Sequence, residues 1–219
     1  MKNLIFSSVL ILLFCGCTAG QYKGFQRTTE NVPEIKNIAS WFQGDSVHFL
    51  FHAGIDVYNN HFGGIMIIKK LVIDSYRVVY ITELGIKIFD MEFFKNGEFK
   101  LHYCLDAINR KSVIKTLKSD IGIMLENIPA ADKLKFRRDS QNAKTLIRSK
   151  DRTGIRFYIL NDKTNRIEEI SLNNSFRKKM NLFYFSANGT ELDSIRIKHH
   201  DIKLNIKLSN LKETKSDVP

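Results

Sequence analysis

The sequence predicts a mainly β fold with some α: a curved antiparallel sheet of about eleven strands, with helices lidding its concave face. Three observations predict it. Segments rich in β-branched and aromatic residues follow one another with only short Gly-, Asn- and Asp-containing turns between them, a spacing that suits adjacent antiparallel strands rather than crossover-linked parallel ones. One long stretch breaks that rhythm with a helical period. Sixteen phenylalanines in 219 residues supply the apolar bulk for one sizeable core.

The first segment precedes the domain. Lys2 gives a positive start, Leu4 to Phe14 is apolar but too short to span a bilayer as a helix, and Phe14-Cys15-Gly16-Cys17 sets a small residue before a cysteine. The pattern resembles a bacterial lipobox. The resemblance implies a diacylglycerol thioether on Cys17, cleavage between Gly16 and Cys17, and acylation, palmitate included, of the new amino group. Cys15 fits less well because bulky Phe14 precedes it. The competing readings are an ordinary secretory signal and an uncleaved anchor. Several acyl chains would tether the mature chain without spanning the bilayer. The expected divisions are a signal peptide over 1–16, a lipidated N-terminus and flexible tether over 17–34, one domain over 35–211 and a disordered tail over 212–219.

Within the domain, Ile35, Ile38, Ala39 and Phe42 suit a short amphipathic helix, and Trp41, the only tryptophan, is expected to pack it on the sheet. Strands are expected at Val47–Tyr58, Phe62–Lys70, Ser75–Glu83, Ile86–Phe94 and Glu98–Leu105, with Asn96-Gly97 as the clearest hairpin turn. From Asn109, a possible N-cap, Val113, Leu117, Ile121 and Leu125 recur every fourth residue until Pro129, which predicts an amphipathic helix of about 17 residues. Further strands are expected at Lys133–Phe136, Lys144–Arg148, Ile155–Leu160, Ile167–Leu172, Lys179–Phe185 and Ser194–Leu208, the last divisible around His199-His200-Asp201. A sheet of that size curls or closes, and the amphipathic helix lays its apolar stripe across the concave side.

Composition narrows the function. Beyond the lipobox the only cysteine is Cys104, so the domain has no internal disulfide, and an apolar strand context reads it as a small buried hydrophobe rather than a reactive thiol. The chain carries a formal charge of +11, of which the signal holds only Lys2. The basic residues are dispersed, which suits a solvated surface first and membrane headgroups second, and export argues against nucleic acid. No nucleophile elbow, phosphate loop or His-Glu-x-x-His pattern is present. His199 and His200 would point to opposite faces of a strand and so not share a metal. Asp90 and Glu92 share one strand face through simple alternation with Phe89, Met91 and Phe93. The chain is therefore expected not to be an enzyme, and no cofactor or metal is expected.

The stretch Asp74-Ser75-Tyr76-Arg77-Val78-Val79-Tyr80-Ile81-Thr82-Glu83-Leu84-Gly85 is similar to the part of LolB in which an Arg-bearing strand runs into a Thr-x-x-Leu-Gly loop, here one residue shorter and without the proline. The order of elements over about 170 residues resembles the LolA/LolB lipoprotein-sorting fold, nearest to the small LolB-like lipoproteins of Bacteroidetes-type envelopes. That resemblance implies an antiparallel half-barrel around a hydrophobic cavity, a membrane-insertion role for Leu84 with Gly85 as the turn residue, a lipoprotein or lipid cargo, and a periplasmic carrier that hands it over.

The expected cavity lining is Ile65, Ile67, Val79, Ile81, Phe89, Met91, Phe157 and Ile159 from the sheet and Val113, Leu117, Ile121 and Leu125 from the helix. The resulting expectation is a monomer in the bacterial cell envelope, lipid-anchored in the outer membrane and facing the periplasm, with Thr18 after the acylated cysteine compatible with that sorting. It would bind acyl chains in lipoprotein or lipid transfer. The alternative is a structural or docking lipoprotein of an envelope complex whose core is filled by its own side chains.

Overall fold

The computed structural model describes residues 22, 24–28, 38–42, 48–71, 75–125, 134–151, 154–174 and 177–211. Cys17, the signal segment and the 212–219 tail lie outside the described residues. In chain order the strands are β1 (Gln26–Arg27), β2 (His48–Val57), β3 (Asn60–Leu71), β4 (Ser75–Thr82), β5 (Lys87–Phe94) and β6 (Phe99–Cys104). A 3-10 turn, Asp106–Ile108, leads into the helix α1 (Lys111–Leu125). After it come β7 (Lys135–Asp139), β8 (Lys144–Asp151), β9 (Gly154–Asn161), β10 (Arg166–Asn173), β11 (Lys178–Phe185), β12 (Ser194–His199) and β13 (Leu204–Asn210).

All thirteen strands form one antiparallel sheet in the order β1-β7-β8-β9-β10-β11-β12-β13-β2-β3-β4-β5-β6. The sheet stays open, with β1 and β6 at its edges. Neighbours in sequence are mostly neighbours in space because the turns are short; Gly97, at φ +86°, makes the β5–β6 turn, and Asn96 Oδ1 accepts from the Glu98 amide at 2.9 Å.

The sheet is curved, and α1 shows it. β11 and β5 stand six places apart in the strand order, about 29 Å in a flat sheet at 4.8 Å per strand. Yet Tyr184 on β11 donates its hydroxyl to the Met124 carbonyl at 2.7 Å, and a Cβ at Gly122 would stand 3.8 Å from the Phe93 ring on β5. A helix about 10–12 Å across touches both only if the sheet wraps around it. The chain leaves the β6 edge through α1 and resumes at β7, at the other side of the sheet, so the helix crosses the concavity.

The apolar stripe of α1 explains its position. Leu117, Ile121, Met124 and Leu125 are all buried, against a concave face made by Phe51, Met66, Ile68, Val78, Tyr80, Phe89, Met91, Ile147, Tyr158 and Leu182. Each such side chain contributes about 1.5–3 kcal/mol on leaving water, which outweighs the modest intrinsic propensity of a 15-residue helix.

Two expectations are corrected here. Gln26–Arg27, placed in the flexible tether, pairs through its backbone with Arg137–Arg138. The helix expected to end at Phe42 is absent from residues 38–42: Ala39 makes an isolated parallel bridge to Arg166, and Trp41–Phe42 is a turn. Trp41 nevertheless packs on the sheet, donating Nε1 to the Ile167 carbonyl at 2.8 Å and lying under the Arg166 guanidinium. The last predicted strand divides, as allowed for, into β12 and β13, and this division together with β1 takes the count from about eleven to thirteen among the described residues.

Candidate functional site

One end of the sheet gathers five connections: the β2–β3 and β4–β5 turns, the β12–β13 link, the 3-10 turn and the start of α1. The antiparallel register enforces this, since Val57 pairs with Leu204 and Asn60, and Phe89 pairs with both Tyr80 and Cys104. Beneath the first two turns of α1, at this rim, the core leaves an apolar hollow of about 90 Å³. Its walls are Ile55 and Val57 from β2, Phe62 from β3, Tyr80 from β4, Ile88 and Phe89 from β5, Ile108, Val113 and Leu117 from the helical side, and Leu204 from β13. Tyr58, Ile202 and Lys203 stand at its mouth.

β3 and β4 pack backbone to backbone next to Phe62 and Tyr80, two of the residues that line the hollow. Gly64 lies so close to β4 that any Cβ would collide with the Ile81 carbonyl, and the Tyr80 hydroxyl fills the space beside it, donating to the Phe62 carbonyl at 2.6 Å. Burial pushes the Tyr80 phenol up to about 12, so it stays a neutral donor throughout the physiological range. The wall chemistry is apolar, with few directed polar groups, and suits hydrocarbon.

Size limits what enters. An apolar cavity of about 150 Å³ accepts a benzene ring; the smaller hollow admits the end of a chain, and the remainder would lie along the mouth or require α1 to lift. The rest of the concave face is filled, with Met66, Ile68, Met91, Ile121, Met124 and Ile147 almost wholly buried. Two roomier clefts, of about 530 and 660 Å³, lie away from the rim and include charged lining side chains, among them Glu168 in one and Arg166 in the other.

Of the twelve side chains expected to line a cavity, Phe89, Val113 and Leu117 face the hollow, while Met91, Ile121 and Leu125 are packed in the solid core. The other six are placed on the wrong side by the sequence. Ile65 and Ile67 pair with Ile81 and Val79, one residue out of step with the inward Met66–Tyr80 and Ile68–Val78 pairs, so all four face outward. Phe157 and Ile159 likewise alternate with inward Tyr158 and Leu160, and the Tyr22 ring covers Phe157 from outside at 5.0 Å. Residues missed by the sequence reading include Ile55, Val57, Tyr58 and Phe62, whose positions near the β2–β3 turn become a pocket only once the register sets that turn beside α1.

Leu84 is the most exposed large apolar residue, at 88%, with Ile86 at 53% and Tyr58 at 66% on the same rim. Its loop is built tightly: the Gly85 amide donates to the Thr82 carbonyl at 2.9 Å, the Ile86 amide to Thr82 Oγ1 at 3.0 Å, and Gly85 takes φ +82°. Nothing lies within 4 Å of a Cβ at Gly85, so the demand for glycine there is purely conformational.

The polar residues singled out earlier are engaged structurally. On the outer face Asp90 accepts two hydrogen bonds from Arg77 at 2.8 and 2.9 Å, which hold its carboxyl below the usual range, with Lys87 adding to the effect. Glu92 lies 2.8 Å from His102 and accepts from Ser75 at 2.8 Å. His199 faces inward to Asp120, whereas His200 faces outward to Asn181 at 2.8 Å. Burial, with nearby Asp106, raises the Cys104 thiol, which keeps it in the unreactive form. Among the described residues no cluster of three metal-ligating side chains occurs, and no helix is long and apolar enough to cross a membrane.

No family model matches the chain, and neither does any curated protein. Among solved structures it is similar to a LolA superfamily protein from Nitrosomonas europaea (TM-score 0.44, 8% identity, covering 81% of this chain and 90% of that one). It is also similar to a DUF1329 family protein from Desulfovibrio piger (TM-score 0.41, 7% identity, covering 77% and 85%).

Proposed function

We propose that this protein is a non-enzymatic, lipid-anchored component of the bacterial envelope that takes the end of an acyl chain into the hollow beneath α1. The observation that carries this reading is the coincidence of an apolar hollow with a rim of exposed apolar side chains, Tyr58, Leu84 and Ile86, which gives hydrocarbon a path from water to core. The lipobox-like Phe14-Cys15-Gly16-Cys17 supports the anchor, and the similarity of Asp74–Gly85 to the LolB loop supports a role for Leu84 and Gly85 in contacting the outer membrane. Within that role the cargo is a lipoprotein or a lipid received from a periplasmic carrier and passed to the outer membrane.

The test is titration with a fluorescent long-chain fatty acid. Thr116→Trp, at the helical wall, should weaken binding at least tenfold, about 1.4 kcal/mol, with an unchanged melting temperature. Binding that ignores the substitution sinks the proposal.

The filled concave face favours a second reading, a docking lipoprotein that holds an envelope complex together. It predicts that no fatty acid binds at all.

A further inference from the structure

On the outer face of the sheet, the side opposite the hollow, Phe183 on β11, Arg196 on β12 and Lys207 on β13 stand side by side in register, with Lys198 two residues further along β12 on the same face. Arg196, Lys198 and Lys207 are exposed, and among the described residues no carboxylate bridges them. Placing Arg196 directly opposite Lys207 is unfavourable by itself, because like charges on paired residues repel. The carboxylates of this face are committed elsewhere: Glu169 accepts from Ser171 at 3.0 Å and Asn181 at 2.5 Å, and Asp56 lies 2.6 Å from His61. Beside the cations Phe185 is 42% exposed, with the Arg196 guanidinium 5.5 Å from its ring centroid. Basic side chains around an exposed aromatic ring match the interfacial zone of an anionic bilayer.

The N-terminal segment points to the same face. Tyr22 packs on Phe157, which lies in line with Ser171, Asn181 and Lys198 across three strand spacings, about 14 Å. Four residues lie between Cys17 and Tyr22, so five Cα–Cα steps make a leash of at most about 18 Å. An acyl anchor on Cys17 therefore brings the bilayer within reach of the cationic patch.

We infer that the outer face of β11–β13 rests on anionic phospholipid headgroups of the membrane that holds the anchor, with Arg196, Lys198 and Lys207 as the headgroup contacts and Phe185 inserted among them. This rests on the proposed acylation of Cys17. It sets how the domain lies on the membrane, and it places the rim at the end of the same strands, within one strand length of the headgroups.

The test uses the processed, acylated chain reconstituted into vesicles, with Cys104→Ser throughout and a fluorophore on Phe185→Cys, on Ser209→Cys of the same face, or on Ser119→Cys of α1. On vesicles containing phosphatidylglycerol, nitroxide lipids should quench the first two probes about three-fold more than the third, and the difference should vanish on phosphatidylcholine alone or with Arg196→Glu and Lys207→Glu combined. Ser209 is exposed, so its probe carries the result if Phe185→Cys folds poorly. Chains that float with vesicles but show equal quenching at all three sites overturn the inference and leave the anchor standing. Equal quenching on neutral and anionic vesicles overturns the headgroup recognition. Chains that fail to float overturn the anchor, and this inference with it.

Discussion

Asp120 of α1 and His199 of β12 meet inside the protein, Oδ2 and Nε2 2.7 Å apart, with both side chains almost fully buried. The contact fastens the lid helix to the sheet at a second point, beside the Tyr184–Met124 hydrogen bond. Burial raises the Asp120 carboxyl above its ordinary 3.8 despite the opposing hydrogen bond from His199. The folded state thus holds the Asp120 proton more tightly than the unfolded chain does, and this group's contribution to stability falls as pH rises from 3.8 through its raised folded value. Asp120→Asn should flatten that part of the stability–pH curve, and Asp120→Ala, which takes the partner from the buried His199 Nε2, should cost about 1–3 kcal/mol at neutral pH. Urea melts at several pH values check both.

Leu84→Glu should leave the melting temperature within about a degree, since an exposed side chain carries little packing energy. It should impair lipid delivery in a reconstituted transfer assay. Full transfer by the variant would remove Leu84 from the mechanism.

Gly64→Ala drives a methyl into the Ile81 carbonyl, against backbone that has no room to retreat between two paired strands. A loss of roughly 2–4 kcal/mol is expected, beyond ordinary overpacking, and a displaced β4 would carry Tyr80 out of the wall of the hollow. Chemical denaturation and fatty-acid titration measure the two effects separately.

Arg77→Ala strips the paired donor from Asp90, a carboxylate only 3% exposed. Because Arg77 itself is well solvated and Lys87 remains 3.3 Å away, the expected cost is about 1–3 kcal/mol, short of that for a fully buried pair. Asp90 has a depressed folded value, so its stabilisation is present at neutral pH and is lost as pH falls through that value. The gap between wild type and variant should close in acid.

Cys17→Ala should abolish incorporation of labelled palmitate and leave the precursor uncleaved, as seen by mass and by detergent partitioning. Continued labelling would move the anchor elsewhere.

What could be read from the residues followed from contrast between neighbours. Along Phe89–Phe93 of β5 only one parity is apolar, Phe89, Met91 and Phe93 against Asp90 and Glu92, so the inward face was visible in advance. Along Ile65-Met66-Ile67-Ile68 and Phe157-Tyr158-Ile159-Leu160 both parities are apolar, the two-residue period disappears, and the face is decided by which side of the sheet α1 covers. The α1 stripe was legible because Leu117, Ile121 and Leu125 alternate with Lys115, Lys118 and Ser119. β1 was invisible, since its two polar residues are held by main-chain hydrogen bonds that no side-chain pattern announces. A cavity was expected, but its place at the rim was not legible, because it depends on how turns far apart in sequence converge.

The two-residue ladder of β1 has a mechanical consequence. Any tug on an acylated N-terminus loads the Tyr22 ring contact and then peels β1 from the margin of the sheet, bond by bond, before strain reaches α1 or the core. The domain is fitted with a sacrificial hem: lateral drag on such an anchor would lengthen the leash and leave the rim of Tyr58, Leu84 and Ile86 intact.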